Sequence, residues 1–172
     1  MNQQQLAKAI YTTARVTGTF QLRSGQLSHQ YFDKYLLESD PQLLAEIAEQ
    51  LAKLIPETTE ILAGIEMGGI PLATALSLRT GLPVVFVRKK AKAYGTAKLA
   101  EGVPIQGKNV CIIEDVVTTG GQIVLSAQEL RAAGARVESV LCVIERDSSC
   151  RIRLEEENLF LNSLFSMEEL EV

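Results

Sequence analysis

An α/β architecture, with a central parallel sheet flanked by helices, follows from three features of this sequence. Short apolar runs alternate with longer segments of helical period, in the order strand, helix, strand, loop, strand, helix, strand. The apolar fraction is aliphatic, with Leu, Ile, Val and Ala and no Trp, which suits a sheet buried on both faces. The length, 172 residues, fits one ordinary domain over 1–172, and the composition, 47% apolar and 22% charged, is that of a globular protein.

The elements follow in order. Leu6, Ala9, Ile10 and Thr13 recur at helical spacing and predict a helix over 3–16. An extended pair, Thr19 to Leu22 and Gln30 to Asp33, is joined by a polar turn through Ser24 and Gly25. Asp40 is a good N-cap and Pro41 suits the first helical position, so a helix starts there with Leu44, Ile47, Leu51 and Leu54 as its stripe. Ile61 to Ile65 reads as a buried strand ending in glycines. A helix begins near Gly69, and Val84 to Val87 is a second strand. Residues 88–104 hold no stable period and read as a mobile loop or a loose hairpin. Val110 to Ile113 is a third strand with Glu114 and Asp115 at its end. Thr119 then heads a helix through the capping-box pattern T-x-x-Q with Gln122, and Gly134 closes it. Val137 to Ile144 is a fourth strand. The less regular tail ends in a strand at Leu159 to Leu164 and a terminal turn at Met167 to Leu170.

Charge and cysteine use exclude several functions. A net charge of −4 makes a poor general binder of nucleic acid, because phosphate backbones attract clustered Lys and Arg. The positive charge is uneven, however. Residues 88–98 carry five of the seventeen basic residues and no acid, which suggests a small anionic ligand. Cys111 and Cys142 lie in apolar runs and, with Cys150, read as free thiols of a reducing cytosol. No cysteine spacing fits a zinc site, and the single histidine, His29, sits in a polar turn where an exposed structural role is expected. MNQQQLAKAI has neither the charged start nor the apolar run of a signal peptide, and no segment is apolar enough to span a bilayer. A cytoplasmic protein without membrane partners is expected.

The chemistry concentrates in VCIIEDVVTTGGQI, residues 110–123. Ligands of open α/β sheets sit beyond the C-terminal ends of the strands. An apolar strand delivers two carboxylates to that edge, where ribose hydroxyls and Mg-bound water are suitable partners. Thr118 to Gly121 are small and lead into a helix N-terminus, so backbone N–H groups and the helix dipole form a cradle for phosphate. Neither a P-loop nor a dinucleotide fingerprint occurs.

VCIIEDVVTTGG resembles the phosphoribosyl pyrophosphate (PRPP) motif of type I phosphoribosyltransferases. FQLRSGQLSHQYFDKYLLESDP (20–41) and VRKKAKAYGTAKLAEG (87–102) resemble the N-terminal region and the catalytic loop of the orotate phosphoribosyltransferases, and the likeness covers roughly residues 6–147. It implies the type I fold, with a small N-terminal hood over about residues 1–38. It also implies transfer of the phosphoribosyl group of PRPP to orotate, yielding orotidine 5′-monophosphate and pyrophosphate, a step of UMP synthesis. Mg²⁺ would be held mainly by PRPP and water. The family is usually dimeric, with a loop of one subunit covering the other's site.

By the same resemblance Glu114 and Asp115 hold the ribose hydroxyls, and Val116, Val117, Thr118, Thr119, Gly120, Gly121 and Gln122 surround the 5′-phosphate. Arg88, Lys89 and Lys92 contact pyrophosphate, and Arg23 matches a basic PRPP-binding position. Phe32, Thr118 and Arg146 match positions that hold the base. Lys92 is the main catalytic side chain, with Arg88 and Asp115 beside it. The turn Glu66 to Gly69 matches the pyrophosphate-side loop, where a strained or cis peptide is plausible. Two positions depart from the pattern. Tyr94 stands where much of the family has a histidine, and tyrosine is no proton shuttle at neutral pH. Met67 and Gly68 stand where many relatives have Tyr-Lys, so one lysine contact to phosphate is missing. Two other readings remain open: a purine phosphoribosyltransferase, and a non-catalytic regulator that senses PRPP. Turnover of purine bases would mark the first, nucleic-acid binding without turnover the second.

Overall fold

Asn2 opens the first helix through a capping box with Gln5, a start that the sequence reading did not identify. In the computed structural model, which describes residues 1–95 and 98–171, this helix is α1, Gln3–Ala14. It stops two residues short of the expected 16 because Arg15 already belongs to a strand. The expected extended pair forms an antiparallel hairpin, β1 (Arg15–Gln21) and β2 (Leu27–Phe32), longer than predicted. A five-residue helix absent from the sequence reading, α2 (Tyr35–Ser39), comes next. The Asp40 carboxylate caps α3 (Pro41–Leu51) as expected, accepting from the N–H groups of Gln42 and Leu43, both at 3.0 Å. Leu43 rather than Leu44 is the fully buried member of its stripe, beside Ile47 and Leu51.

The strands β3 (Ile61–Ile65) and β4 (Val84–Val87) fall where the apolar runs place them, joined by α4 (Gly69–Thr80). Within 88–104 a short strand, β5 (Ala100–Gly102), returns antiparallel to β4, so the hairpin alternative holds there; Thr96 and Ala97 lie outside the described residues. Then come β6 (Asn109–Val117), α5 (Gly121–Ala132), β7 (Arg136–Glu145), α6 (Cys150–Glu156), β8 (Phe160–Ser166) and α7 (Met167–Leu170). The sheet order is β5-β4-β3-β6-β7-β8. All of its pairs are parallel except β4–β5, so the expected central parallel sheet carries one antiparallel edge strand.

Successive residues of a strand face opposite sides, and here both sides are covered. Val110 and Ile112 of β6 pack with Ile123, Ala127 and Leu130 of α5 on one side. Cys111 and Ile113 pack with α3, α4 and α1 on the other, where Leu6, Ile10 and Ala14 are wholly buried. α1 and Leu37 of α2 therefore share the sheet's core. What stands apart as a hood is the hairpin, with its own two-stranded sheet. Cys111, Cys142 and Cys150 are buried free thiols, and burial pushes Cys111 up to about 12. His29 is exposed. Among the described residues no helix is long and apolar enough to cross a membrane.

Candidate active site

β6 outruns its predicted end by four residues, so Glu114 and Asp115 lie inside the strand rather than at its tip. Regular pairing with β7 holds them: Glu114 stands opposite Cys142, and Val117 opposite Glu145. Asp115 is nearly buried, at 3% exposure. Among the described residues its one ion-pair partner is Lys34, whose ammonium lies 2.7 Å from Oδ2. Burial works against the charged lysine, but hydrogen bonding and attraction to Asp115 outweigh it and hold the Lys34 pKa above its usual value. Two more carboxyls crowd the same place. Burial, reinforced by the charge of Asp115, pushes both Glu38 and Glu114 up to about 8. The Glu114 carboxylate also accepts from the Asp115 N–H at 3.1 Å.

A turn of small residues lies directly on these acids. The peptide Glu66–Met67 is cis, as the family pattern suggests. A Cβ on Gly68 would overlap the Asp115 carboxylate, and one on Gly69 would overlap the Ile113 carbonyl, so only glycine allows this approach. The Glu66 carboxylate accepts from the Lys89 N–H at 2.6 Å, which ties the turn to the basic segment.

Beyond β6 the chain reaches the expected phosphate cradle by a different route. Gly120, at φ +75°, is the residue before α5, and no side chain caps the helix. The predicted Thr119–Gln122 box does not form. Once Gly120 turns left-handed, Thr119 falls outside the helix, and its hydroxyl accepts only from Gly121 N–H at 3.4 Å. The Gln122 amide turns to Ser126 at 3.3 Å. Apart from Gly121, the first-turn N–H groups of α5 thus have no side-chain partner, which is the condition for binding an anion. Thr118 and Thr119 are exposed beside them, while Val116 and Val117 belong to the strand.

The three residues expected to hold a base meet in one cleft of about 290 Å³, lined by Phe32, Thr118 and Arg146 together with Tyr31, Lys34 and Val116. The Arg146 guanidinium lies 6.0 Å from the Phe32 ring centroid. The Arg146 N–H donates to the Val117 carbonyl at 2.8 Å, which fixes the end of β7 against β6.

Comparison with known proteins bears on this geometry. The sequence model of the phosphoribosyl transferase domain matches residues 37–162. Orotate phosphoribosyltransferase of Nocardioides sp. is 48% identical over 96% of this chain and 93% of its own. That of Methanocella arvoryzae is 46% identical over 89% and 87%. The chain belongs to the orotate phosphoribosyltransferase family. The crystal structure of the Mycobacterium tuberculosis H37Rv orotate phosphoribosyltransferase in complex with Fe(III) dicitrate has the same fold, with a TM-score of 0.89 over 100% of both chains at 27% identity.

Against the orotate phosphoribosyltransferase pattern, the basic residues divide. Arg88 and Lys92 gather on Glu101 of β5, at 3.7 and 2.8 Å, while Lys89 is exposed. The Lys92 ammonium also lies 6.0 Å from the centroid of Tyr94, which is 76% exposed. Arg23 is not brought to the cleft; it is exposed in the hairpin turn. The sequence reading missed Lys34 and Glu38, whose parts depend on Asp115 far along the chain, and Glu101, which gathers Lys92 and Arg88. It also missed Arg153 of α6, whose Nη1 would lie 3.2 Å from a Cβ on Gly121 and so stands beside the cradle.

Proposed function

We propose that this protein joins orotate to the ribose 5-phosphate of PRPP, releasing pyrophosphate and forming orotidine 5′-monophosphate. The observation that carries this reading is the cleft where Phe32, Thr118 and Arg146 converge, next to the β6 acids and the uncapped start of α5. Phe32 offers a face to a flat ring. Arg146 offers a fork of N–H donors to a carboxylate or to ring carbonyls. The cradle Thr118 to Gln122 takes the 5′-phosphate, and Glu114 and Asp115 face the ribose hydroxyls. The names of the Nocardioides and Methanocella relatives support the same substrate.

In the reaction, N1 of the base bonds to the anomeric carbon while the bond from that carbon to the pyrophosphate oxygen breaks. Pyrophosphate leaves with the electron pair, and the N1 proton passes to it or to water. The transition state places positive charge on the ribose and negative charge on the leaving group, so fixed donors from Lys92, Arg88 and Lys89 lower the barrier. Loop closure excludes water from the cation-like sugar. Mg²⁺ would be carried in on PRPP oxygens and water, with Glu114 and Asp115 as hard oxygen neighbours. When bound, the ion disperses the charge of the pyrophosphate. A cytoplasmic homodimer in which one subunit's loop covers the other's site completes the reading; Arg23, away from its own cleft, is then available to the partner's.

The test is an ultraviolet assay of orotate loss with PRPP and Mg²⁺, run beside adenine, hypoxanthine and xanthine. Orotate is expected to be consumed and the purines left unchanged. Purine turnover without orotate turnover would overturn the substrate.

A further inference from the structure

Lys34 belongs to two neighbouring places at once. Its ammonium lies on the nearly buried Asp115, and its side chain lines the cleft of Phe32, Thr118 and Arg146. The geometry of the chain explains why it stays there. The Asp33 carboxylate accepts from Tyr35 N–H at 3.1 Å and starts α2, so Lys34 precedes a short helix whose Leu37 is locked in the core. Lys34 also lies over the Tyr35 ring, 5.2 Å from its centroid.

The charge of the cleft is one-sided. Of the residues that line it, Lys34 and Arg146 are charged, and none is acidic. An ammonium has three N–H donors. Asp115 engages one, leaving others available to a ligand in the cleft. A neutral base would not need a second cation here, whereas a base bearing a carboxylate would. Asp115, the carboxyl nearest Lys34 at 2.7 Å, offsets its charge but does not line the cleft, and the other neighbouring carboxyls do not reverse the balance. Glu38 and Glu114 are both driven towards their neutral forms by burial and by Asp115, and Asp33, whose carboxylate accepts from the N–H of Tyr35, does not line the cleft.

We propose that Lys34 is a specificity-determining residue, the second cation with Arg146 that selects a carboxylate-bearing base, held in place by Asp115. This rests on the orotate reading above and adds to it a residue outside the matched base-binding positions.

The experiment compares wild type with K34M and K34R. It measures KM for orotate at saturating PRPP, the inhibition constant of uracil (the same ring without the carboxylate), the Kd of PRPP with Mg²⁺ by calorimetry, and Tm. Loss of one charge-assisted hydrogen bond, worth about 1.5–3 kcal/mol, corresponds to a rise in orotate KM of about 10- to 150-fold in K34M. Uracil inhibition should stay within about twofold, and K34R, which keeps the charge, should recover most of the loss. Equal losses for orotate and uracil, an orotate KM within twofold of wild type, or a change confined to PRPP would each overturn the proposal and leave Lys34 a counter-ion of Asp115. If K34M melts too low to assay, K34R against K34Q carries the same comparison. A wild-type protein that does not turn over orotate is a separate outcome, and it would overturn the substrate reading itself together with this inference.

Discussion

The ammonium of Lys92 lies 2.8 Å from the Glu101 carboxylate, at the point where β5 returns beside β4. Arg88 approaches the same carboxylate at 3.7 Å. One acid thus gathers two of the three side chains expected to meet pyrophosphate, and the hydrogen bond from Lys92 and the attraction of these cations in turn depress the Glu101 carboxyl below its usual value. Lys92→Ala should lower kcat by about 10²–10³, the scale of losing one preorganised charge donor. Near wild-type single-turnover rates in that variant would remove Lys92 from the chemistry.

If Lys92 and Arg88 meet pyrophosphate as proposed, Glu101 competes with it for these cations. Ion pairs in contact with solvent are weak, so releasing these cations has a modest effect. Glu101→Gln should therefore tighten pyrophosphate binding by roughly two- to fivefold, measured by calorimetry. Weaker binding would mean instead that Glu101 holds Lys92 in its working position.

Gly68 and Gly81 separate steric from conformational demand. Gly68 has an ordinary φ, but a Cβ there would overlap the Asp115 carboxylate. Gly81 ends α4 at φ +77°, and a Cβ there would project into open space, with nothing within 4 Å. Gly68→Ala should displace Asp115, lowering activity by about tenfold or more on the scale of a misplaced site group, and also lowering Tm. Gly81→Ala should cost about 1 kcal/mol in stability and leave kcat unchanged. Equal activity in the two variants would contradict the close packing of the 66–69 turn on β6.

The strands were legible because a strand buried on both faces is a plain apolar run. Ile61–Ile65, buried throughout, needs no other signal, and Val84–Val87 reads as the same apolar run although Phe86 is exposed. α6 was not legible: in CRIRLEE only Cys150 and Leu154 are buried, too few for a periodic stripe. α2 and β5 are too short to show a period. At the site, the motif from Glu114 to Gln122 was legible because its chemistry is contiguous. The capping box failed because left-handed Gly120 resets the helix start, a backbone choice that the T-x-x-Q pattern does not encode. Lys34 was missed because its meaning comes from Asp115, far along the chain, and Glu101 because it looked like an ordinary loop acid.

Glu145, at the end of β7, bears on stability rather than chemistry, and it is 6% exposed. Its carboxylate accepts from Arg151 Nη2 at 2.6 Å, from Arg151 Nε at 2.8 Å and from the Ser163 hydroxyl at 3.0 Å. The Arg151 hydrogen bonds dominate and hold the Glu145 pKa below its ordinary value, with burial opposing them. The unfolded chain therefore binds this proton more readily than the folded one. The contribution is fully present above the unfolded glutamate value of about 4.3, and it is lost as pH falls from there through the lower folded value. Arg151→Ala leaves a buried carboxylate with only Ser163 and should cost about 1–3 kcal/mol at pH 7. The side chain of Arg151 is 41% exposed, and solvent screening places the loss in the lower part of that range. Urea melts at about pH 7 and about pH 3 check both points. The gap between wild type and variant should shrink at the lower pH, where the glutamate is protonated in the unfolded chain. An undiminished gap would assign the loss to the Arg151 bond with the Leu161 carbonyl, at 2.8 Å, rather than to the ion pair.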